Sequence, residues 1–136
     1  MIEMYSVTKR IDFCYGHRLL DYDGICKHPH GHNAVAEIEV RTGQLDSRNM
    51  VCDFSDIKRV VKGWIDKEID HKMLLRKDDP LVEPLQQLGE PVFLLDSNPT
   101  VEAIARLIFE QTKGQGFPVV RVKVWETPTS FAEYGE

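Results

Sequence analysis

Residues 30–41, HGHNAVAEIEVR, alternate apolar and polar side chains over most of their length. This period of two is typical of a β-strand with one buried face. The apolar face is formed by Ala34, Ala36, Ile38 and Val40. The stretch 4–17, MYSVTKRIDFCYGH, has the same pattern. We therefore predict two long strands that pair as antiparallel neighbours.

The rest of the chain predicts two helices and two further strands. The first helix begins at Ser55, a candidate N-cap, and the second begins at Thr100 and stops near Gly114. The apolar stripe of the first helix is formed by Ile57, Val60, Val61, Trp64, Ile65 and Ile69. One strand is expected at 118–126, with Val120, Val122 and Val124 on one face, and a short one within 92–96. This order favours an α+β fold in a single domain, 1–136, with a four-stranded antiparallel sheet and two helices on one face.

Composition excludes several classes of protein. The chain has 17 Lys and Arg against 22 Asp and Glu, a net charge of -5 and no basic run, so no nucleic acid partner is expected. No apolar stretch is long enough for a membrane span, and no leader pattern is visible, so a cytoplasmic location is expected. Three cysteines are an odd and sparse set, which favours reduced thiols.

The segment CKHPHGHN, residues 26–33, predicts a metal site. On a strand, His30 and His32 leave the same face about 6.5 Å apart along the chain. His17 continues the apolar face of the other long strand. Three neutral imidazoles suit a catalytic Zn²⁺ ion with an open fourth position, although iron and copper accept the same ligands. In the rival interpretation, Cys26 is the fourth ligand of a closed structural site.

Several polar residues have both a functional and a purely structural interpretation. Glu126 continues the inward face of the strand 118–126 and therefore needs a partner, either a ligand or a neighbouring Arg or Lys. His71 follows the predicted end of the first helix, where it can simply complement the helix dipole. Thr100 and Glu102 suit the cap and the first turn of the second helix.

Six motifs together resemble one known family. They are FCYGHRL (13–19), CKHPHGHN (26–33), MVCDFSDIK (50–58), DHKML (70–74), NPTVEAIA (98–105) and VWETP (124–128). In this order and over most of the chain they resemble the family of 6-pyruvoyl-tetrahydropterin synthase and 6-carboxytetrahydropterin synthase. The spacing from Cys26 to His30 is similar to the carboxytetrahydropterin branch.

The resemblance implies an enzyme activity. The expected reaction is a zinc-dependent lyase reaction that converts 7,8-dihydroneopterin triphosphate to 6-carboxy-5,6,7,8-tetrahydropterin, with release of triphosphate and acetaldehyde, in queuosine and 7-deazapurine biosynthesis. Zn²⁺ would be held by His17, His30 and His32. The resemblance gives Cys26 the role of general base, with Asp70 and His71 as a proton relay. It gives Glu126, Thr100 and Glu102 contacts with the pterin.

The resemblance also implies the tunnelling fold, in which sheets of several subunits join into a β-barrel. A homo-hexamer made of two trimers is expected, with active sites between subunits. Because adjacent residues of a helix rarely hydrogen-bond to each other, Asp70 is expected to act across a subunit boundary. Two positions depart from the family pattern: Ala103 stands where Asn is usual, and Pro29 where Leu is commoner.

Two alternative functions follow from the same residues. One is 6-pyruvoyl-tetrahydropterin synthase activity, which eliminates triphosphate but keeps the three-carbon side chain. The other is a pterin-binding zinc protein without turnover, which Ala103 makes conceivable. Contacts to the triphosphate require local positive charge, for which the candidates are Arg18, Lys27, His28, Lys72 and Arg76.

Overall fold

The computed structural model describes residues 3–136, so the first two residues of the predicted domain 1–136 lie outside the described part. Its strands are β1 (Tyr5–His17), β2 (His30–Thr42), β3 (Lys72–Arg76), β4 (Val92–Leu95), β5 (Val119–Thr127) and β6 (Ser130–Gly135). Its helices are α1 (Phe54–Ile57), α2 (Gly63–Glu68), α3 (Val82–Gln87) and α4 (Val101–Gly114). A π-helical turn, Lys58–Lys62, joins α1 to α2, so residues 54–68 form one continuous helical segment.

The strands form one six-stranded sheet in the order β4-β3-β1-β2-β5-β6. The pairs β1–β2, β2–β5 and β5–β6 are antiparallel, whereas β3 runs parallel to β1 and β4 runs parallel to β3. The α+β class is confirmed, but the predicted four-stranded antiparallel sheet is wrong. The two missed strands lack the alternating pattern: β3 is short and buries Leu74 and Leu75 consecutively, and β6 is a largely exposed edge strand.

The pairing of β1 with β2 confirms the predicted antiparallel neighbours and positions the candidate site. In this register His17 lies opposite His30, and Tyr15 lies opposite His32. All four side chains therefore leave the same end of the same sheet face. The histidines of CKHPHGHN thus meet the third histidine because the register of two long strands brings them together.

The hydrophobic core lies between this face of the sheet and the helices. It is built from fully buried side chains on both layers, among them Ile11, Ile38, Val122, Val124, Ile57, Ile65, Ile104 and Ile108. Burying each such side chain contributes about 1.5–3 kcal/mol before the entropy of ordering is counted. The opposite face of the central strands carries charged side chains, including the ion pair of Arg10 with Glu37. Among the helices of residues 3–136, none is both long and apolar enough to cross a membrane.

The start of the first helical segment and the end of α4 differ slightly from the prediction. Asp53, and not Ser55, caps the first helical segment: its Oδ1 accepts hydrogen bonds from the backbone N–H (2.8 Å) and the hydroxyl (2.7 Å) of Ser55. Aspartate and serine are comparable caps, so the capping preference of Ser55 did not by itself locate the start of the helix. Thr100 caps α4 as predicted. After α4, the glycine in the left-handed conformation is Gly116, with φ 92°, rather than Gly114.

Strand β5 departs from strict alternation at two places. A register shift opposite Glu39 and Val40 turns Val119 into the core, so Val119 and not the predicted Val120 is buried there. A second shift separates Trp125 and Thr127 in the pairing with β6 and leaves Glu126 between them. Such bulges change the direction of side chains and are common beside active sites.

Candidate functional site

Three histidines converge at the end of β1 and β2. One ring nitrogen from each of His17, His30 and His32 lies within 4.8 Å of the other two. Nδ1 of His17 is 2.6 Å from the carbonyl oxygen of Pro99, and Nδ1 of His30 is 2.7 Å from that of His28. These bonds turn Nε2 of both rings toward the centre of the cluster. The structure therefore brings together all three residues predicted as metal ligands.

The donor set fits a zinc ion. Nε2 of His17 and Nε2 of His32 are buried, and neither has a hydrogen-bond partner. A buried polar atom without a partner is costly, and a bound cation removes that cost. Burial lowers the pKa of both rings, more strongly than the nearby Glu126 raises it. The rings are thus neutral at pH 7, which is the form that binds a metal.

Glu126 lies directly beside this cluster. Its Oε1 is 3.4 Å from Nε2 of His32 and 3.6 Å from Nε2 of His17, and the Tyr15 hydroxyl donates to the same oxygen over 3.4 Å. Burial and the Glu126 charge both raise the pKa of Tyr15, so its hydroxyl remains protonated. The predicted alternative, an ion pair of Glu126 with Arg or Lys, is not formed among residues 3–136.

Asp70 and His71 form a hydrogen-bonded pair within one chain. His71 has left the helix and adopts a left-handed backbone conformation, φ 60°, which lets its Nδ1 approach Oδ2 of Asp70 to 2.7 Å. Adjacent residues rarely bond directly in a helix, but His71 lies beyond the helix end, so the direct bond to Asp70 forms within one chain. The backbone N–H of Cys14 donates to Oδ1 of Asp70 (2.9 Å). Burial raises the pKa of Asp70, but the bonds from Cys14 and His71 outweigh burial and hold it below the usual value.

Cys26 lies apart from both clusters in the described chain. It belongs to a single 3₁₀ turn, Ile25–Lys27, and its carbonyl accepts from the N–H of Leu19 (2.9 Å). Its thiol is not among the side chains near the three histidines, so the geometry of one chain offers no support for Cys26 as a fourth ligand. The thiol nearest to His71 in the same chain is that of Cys14, a residue absent from the predicted site.

Thr100 and Glu102 have structural roles in this chain. The Thr100 hydroxyl accepts from the N–H of Ala103 (3.1 Å) and so caps α4. Glu102 is exposed in the first turn, where a negative charge complements the helix dipole. Pro99, which precedes the cap, is buried and bonds His17. The segment 98–105 thus contacts the histidine cluster through the main-chain carbonyl of Pro99. A pattern of side chains cannot predict a contact made by the main chain.

A cleft of about 600 Å³ lies at this end of β1 and β2. It is lined by Cys14, Tyr15, Gly16, Pro29, His30, Gly31, His32, Asn33, His71, Lys72 and Met73. His30 and His32 of the metal cluster and His71 of the Asp70–His71 pair are among these lining residues.

Of the five basic residues considered for a triphosphate, two are held by acidic partners. Arg18 makes two hydrogen bonds to the buried Asp79, one of them from Nε at 2.8 Å. Arg76 bonds Asp78 and Asp21. Lys72 lines the cleft, and Lys27 and His28 line a separate depression of about 480 Å³.

Relatives of known name cover nearly the whole chain. A family model described as 6-pyruvoyl tetrahydropterin synthase matches residues 6–136. The 6-carboxy-5,6,7,8-tetrahydropterin synthase of Rickettsia felis is 37% identical over 139 residues, which cover 96% of this chain and 99% of that protein. The protein of the same name from Haemophilus influenzae is 33% identical over 141 residues, covering 98% and 100%.

Solved structures share the fold. An uncharacterised protein from Wolinella succinogenes superposes with a TM-score of 0.81 at 26% identity, covering 98% of this chain and 99% of that one. The 6-pyruvoyl tetrahydropterin synthase of Caenorhabditis elegans superposes with a TM-score of 0.74 at 24% identity, covering 99% and 97%. The family model and the two relatives above match nearly the whole chain, and so this chain belongs to the 6-pyruvoyl tetrahydropterin synthase family.

Proposed function

We propose that this protein is a zinc-dependent 6-carboxy-5,6,7,8-tetrahydropterin synthase acting on 7,8-dihydroneopterin triphosphate. The observation that carries the proposal is the histidine cluster with its two partnerless buried nitrogens and the Glu126 carboxylate beside it. The relatives with this name, at 33% and 37% identity over nearly the full chain, support the choice of reaction.

The cluster suits a pterin bound with its side chain at the metal. His17, His30 and His32 would hold Zn²⁺, which when bound supplies Lewis acidity toward the hydroxyls of the substrate side chain. Glu126 is an acceptor-only carboxylate and can take two parallel hydrogen bonds from the pterin 2-amino group and ring N–H. Its Oε1 lies 3.4 Å from Nε2 of His32 and 3.6 Å from Nε2 of His17, which supports a pterin bound next to the metal.

Proton transfer is assigned to Asp70, His71 and Cys26. Asp70 accepts the Nδ1 proton of His71, which leaves Nε2 as the nitrogen able to take a proton from the substrate. Cys26 would act as the second base. Because Cys26 lies apart from His71 within one chain, the two would meet only across a subunit boundary of a homo-oligomer, for which we propose the hexamer built from two trimers.

Product analysis tests the reaction. Purified protein loaded with zinc is incubated with 7,8-dihydroneopterin triphosphate, and the products are identified by mass. The proposal expects 6-carboxy-5,6,7,8-tetrahydropterin, triphosphate and acetaldehyde. A product that keeps the three-carbon side chain would assign 6-pyruvoyl-tetrahydropterin synthase activity instead. Unchanged substrate with tight binding would indicate a pterin-binding protein without turnover.

A variant of the thiol tests its role separately. Cys26→Ala is expected to abolish turnover while the zinc content stays that of the unmodified protein. Loss of zinc from this variant would make Cys26 a ligand and would contradict the assignment. The matched control is Cys52→Ala, because Cys52 is a half-buried free thiol next to the cap of the first helical segment and outside both clusters.

A further inference from the structure

A second group of metal-binding side chains lies near the end of β1, on the sheet face opposite the three histidines, because Cys14 alternates with the buried Phe13 and Tyr15. It consists of Cys14, Asp70 and His71, which each offer a donor atom within 4.8 Å of the other two. Thiolate, imidazole and carboxylate are all ligands that Zn²⁺ accepts, and the thiolate favours it over Mg²⁺ or Ca²⁺. The two anionic donors also balance the charge of a divalent ion.

Main-chain hydrogen bonds hold this second group together. The N–H of Cys14 donates to Oδ1 of Asp70 (2.9 Å), and the N–H of His71 donates to the carbonyl oxygen of Cys14 (2.7 Å). Position 14 lies within β1, so its backbone is also fixed by the pairing with Asn33 of β2. Ligands fixed by the fold lose little conformational entropy when an ion binds.

The group is open to an incoming ion. The His71 side chain is 79% exposed, and Cys14 is half-buried on the wall of the cleft. The two hydrogen bonds that Asp70 accepts use only part of its carboxylate, since each carboxylate has about four lone-pair positions. A bound ion would therefore find a thiol, an imidazole and a carboxylate oxygen without any change of the backbone.

We propose that Cys14, Asp70 and His71 form a second, inhibitory binding site for a thiophilic divalent cation such as Zn²⁺. On binding, the S–H bond of Cys14 breaks, a sulfur–metal bond forms and the proton is released to solvent. The ring nitrogen of His71 that binds the ion has no lone pair left for a proton. Excess zinc therefore stops the proton relay. The inhibition rests on the proposed function of His71, whereas binding of the ion does not.

Cobalt spectroscopy tests the binding alone. Metal-free protein is titrated with Co²⁺, which replaces Zn²⁺ and absorbs in the near ultraviolet when a thiolate binds it. The first equivalent is expected to fill the histidine cluster without this band, and the second is expected to produce it. In Cys14→Ser the band is expected to disappear while the first equivalent still binds. Serine keeps the main-chain bonds of position 14, so the fold is retained.

Matched thiol variants make the outcome decisive. Cys26→Ser and Cys52→Ser are expected to keep the band. The proposal is overturned if no band forms in the unmodified protein, if the band survives in Cys14→Ser, or if Cys26→Ser removes it. Should Cys14→Ser not fold, alkylation of Cys14 in the unmodified protein replaces it: at zinc ten times above Kd, the reactive fraction should fall about tenfold, and unchanged alkylation contradicts the site.

Turnover measured against zinc concentration tests the inhibition. Beyond the first equivalent the unmodified protein is expected to lose activity, and in Cys14→Ser the zinc concentration for half inhibition should rise about 10- to 100-fold. Mg²⁺ at the same concentrations should not inhibit. Equal inhibition of both proteins would contradict the proposal. Absence of turnover in any condition would count against the proposed function, while the cobalt band would still report on this site.

Discussion

At the scale of single residues, the direction of a few ring and carboxylate atoms separates the candidate site from ordinary core. Nε2 of His17 and Nε2 of His32 are buried without a partner, although the described core is otherwise apolar or hydrogen-bonded. His71 occupies a left-handed conformation that non-glycine residues adopt rarely, and strain of this kind collects at functional sites. Each of these two features lowers the free energy of unfolding. A bound ligand or a catalytic role would account for its presence.

Removal of one imidazole tests the metal cluster. His32→Ala is expected to lower zinc affinity by about 10- to 100-fold or more, because it deletes one of three ligands. Zinc content after dialysis against a chelator measures the effect. His28→Ala is the control, since only the carbonyl oxygen of His28 contacts the cluster and alanine keeps it. Equal zinc loss from both variants would argue against a specific role of His32.

Neutralising Glu126 separates substrate binding from metal binding. Glu126→Gln keeps the shape of the side chain but replaces one acceptor by a donor, so the pterin would lose charge-assisted hydrogen bonds worth about 1.5–3 kcal/mol. We expect kcat/KM to fall about 10- to 100-fold with the zinc content unchanged. If zinc is lost instead, Glu126 is a metal ligand, as its 3.4 Å distance to Nε2 of His32 also allows.

At the scale of the elements, the alternation of side chains along the strands predicted which residues form the histidine cluster. The irregular parts of the backbone near the site were not predicted. Alternation placed the three histidines on the core face of β1 and β2, where the structure has them. It could not give the bulge at Glu126, the short parallel strand β3 or the turn at His71, because each depends on tertiary pairing and not on a repeating pattern. Cys14 was missed for a related reason: its neighbours Asp70 and His71 come from a distant part of the chain.

The start of helix α4 offers a test of capping against substrate contact. Thr100→Ala removes the hydroxyl that accepts from Ala103 and is expected to lower the free energy of unfolding by about 1 kcal/mol. Thr100→Ser keeps the hydroxyl and should restore most of the loss. Urea denaturation measures both variants. Unchanged stability of Thr100→Ala, together with a raised KM, would assign the hydroxyl to the substrate instead.

At the scale of the whole molecule, a few side-chain hydrogen bonds join segments near the candidate site that are distant in sequence. The Arg18–Asp79 pair joins the segment after β1 to the loop after β3, and Asn98 bonds both backbone groups of Leu20. Among residues 3–136, the edge strands β4 and β6 each pair with a neighbour on one side only. Such edges suit the proposed joining of subunits into a barrel.

Acid unfolding is expected to report the Arg18–Asp79 pair. The hydrogen bond from Arg18 holds the pKa of Asp79 below its usual 3.8, against the opposite effect of burial. Stability from this pair is therefore present above about pH 4 and lost as the pH falls through the lowered pKa. Asp79→Asn should cost about 2 kcal/mol near pH 7, the scale of a hydrogen bond to a charged group, and progressively less as the pH falls through the lowered pKa of Asp79.

Urea denaturation across this pH range measures the effect. Asp96→Asn is the control, because Asp96 is 93% exposed where it meets Lys77, and exposed pairs contribute little. A pH-independent difference between Asp79→Asn and the unmodified protein would show that the carboxylate charge is not what Arg18 stabilises.

Mixing of inactive variants tests whether active sites span subunits. Cys26→Ala and His71→Ala are each expected to be inactive. If Cys26 of one subunit meets His71 of another, random mixed oligomers regain activity at about a quarter of their sites. Turnover after joint refolding measures the recovery. No recovery in mixed oligomers, verified by mass, would place both residues of a site in one chain.

The main-chain acceptors of His17 and His30 have a consequence for the order of events. The carbonyls of Pro99 and His28 select the tautomer of each ring and hold its orientation in the folded chain. The rings are therefore already oriented when a metal ion binds. Their loss of rotational entropy occurs on folding and not on metal binding. Holo and apo forms would accordingly share one shape and differ mainly in local electric field.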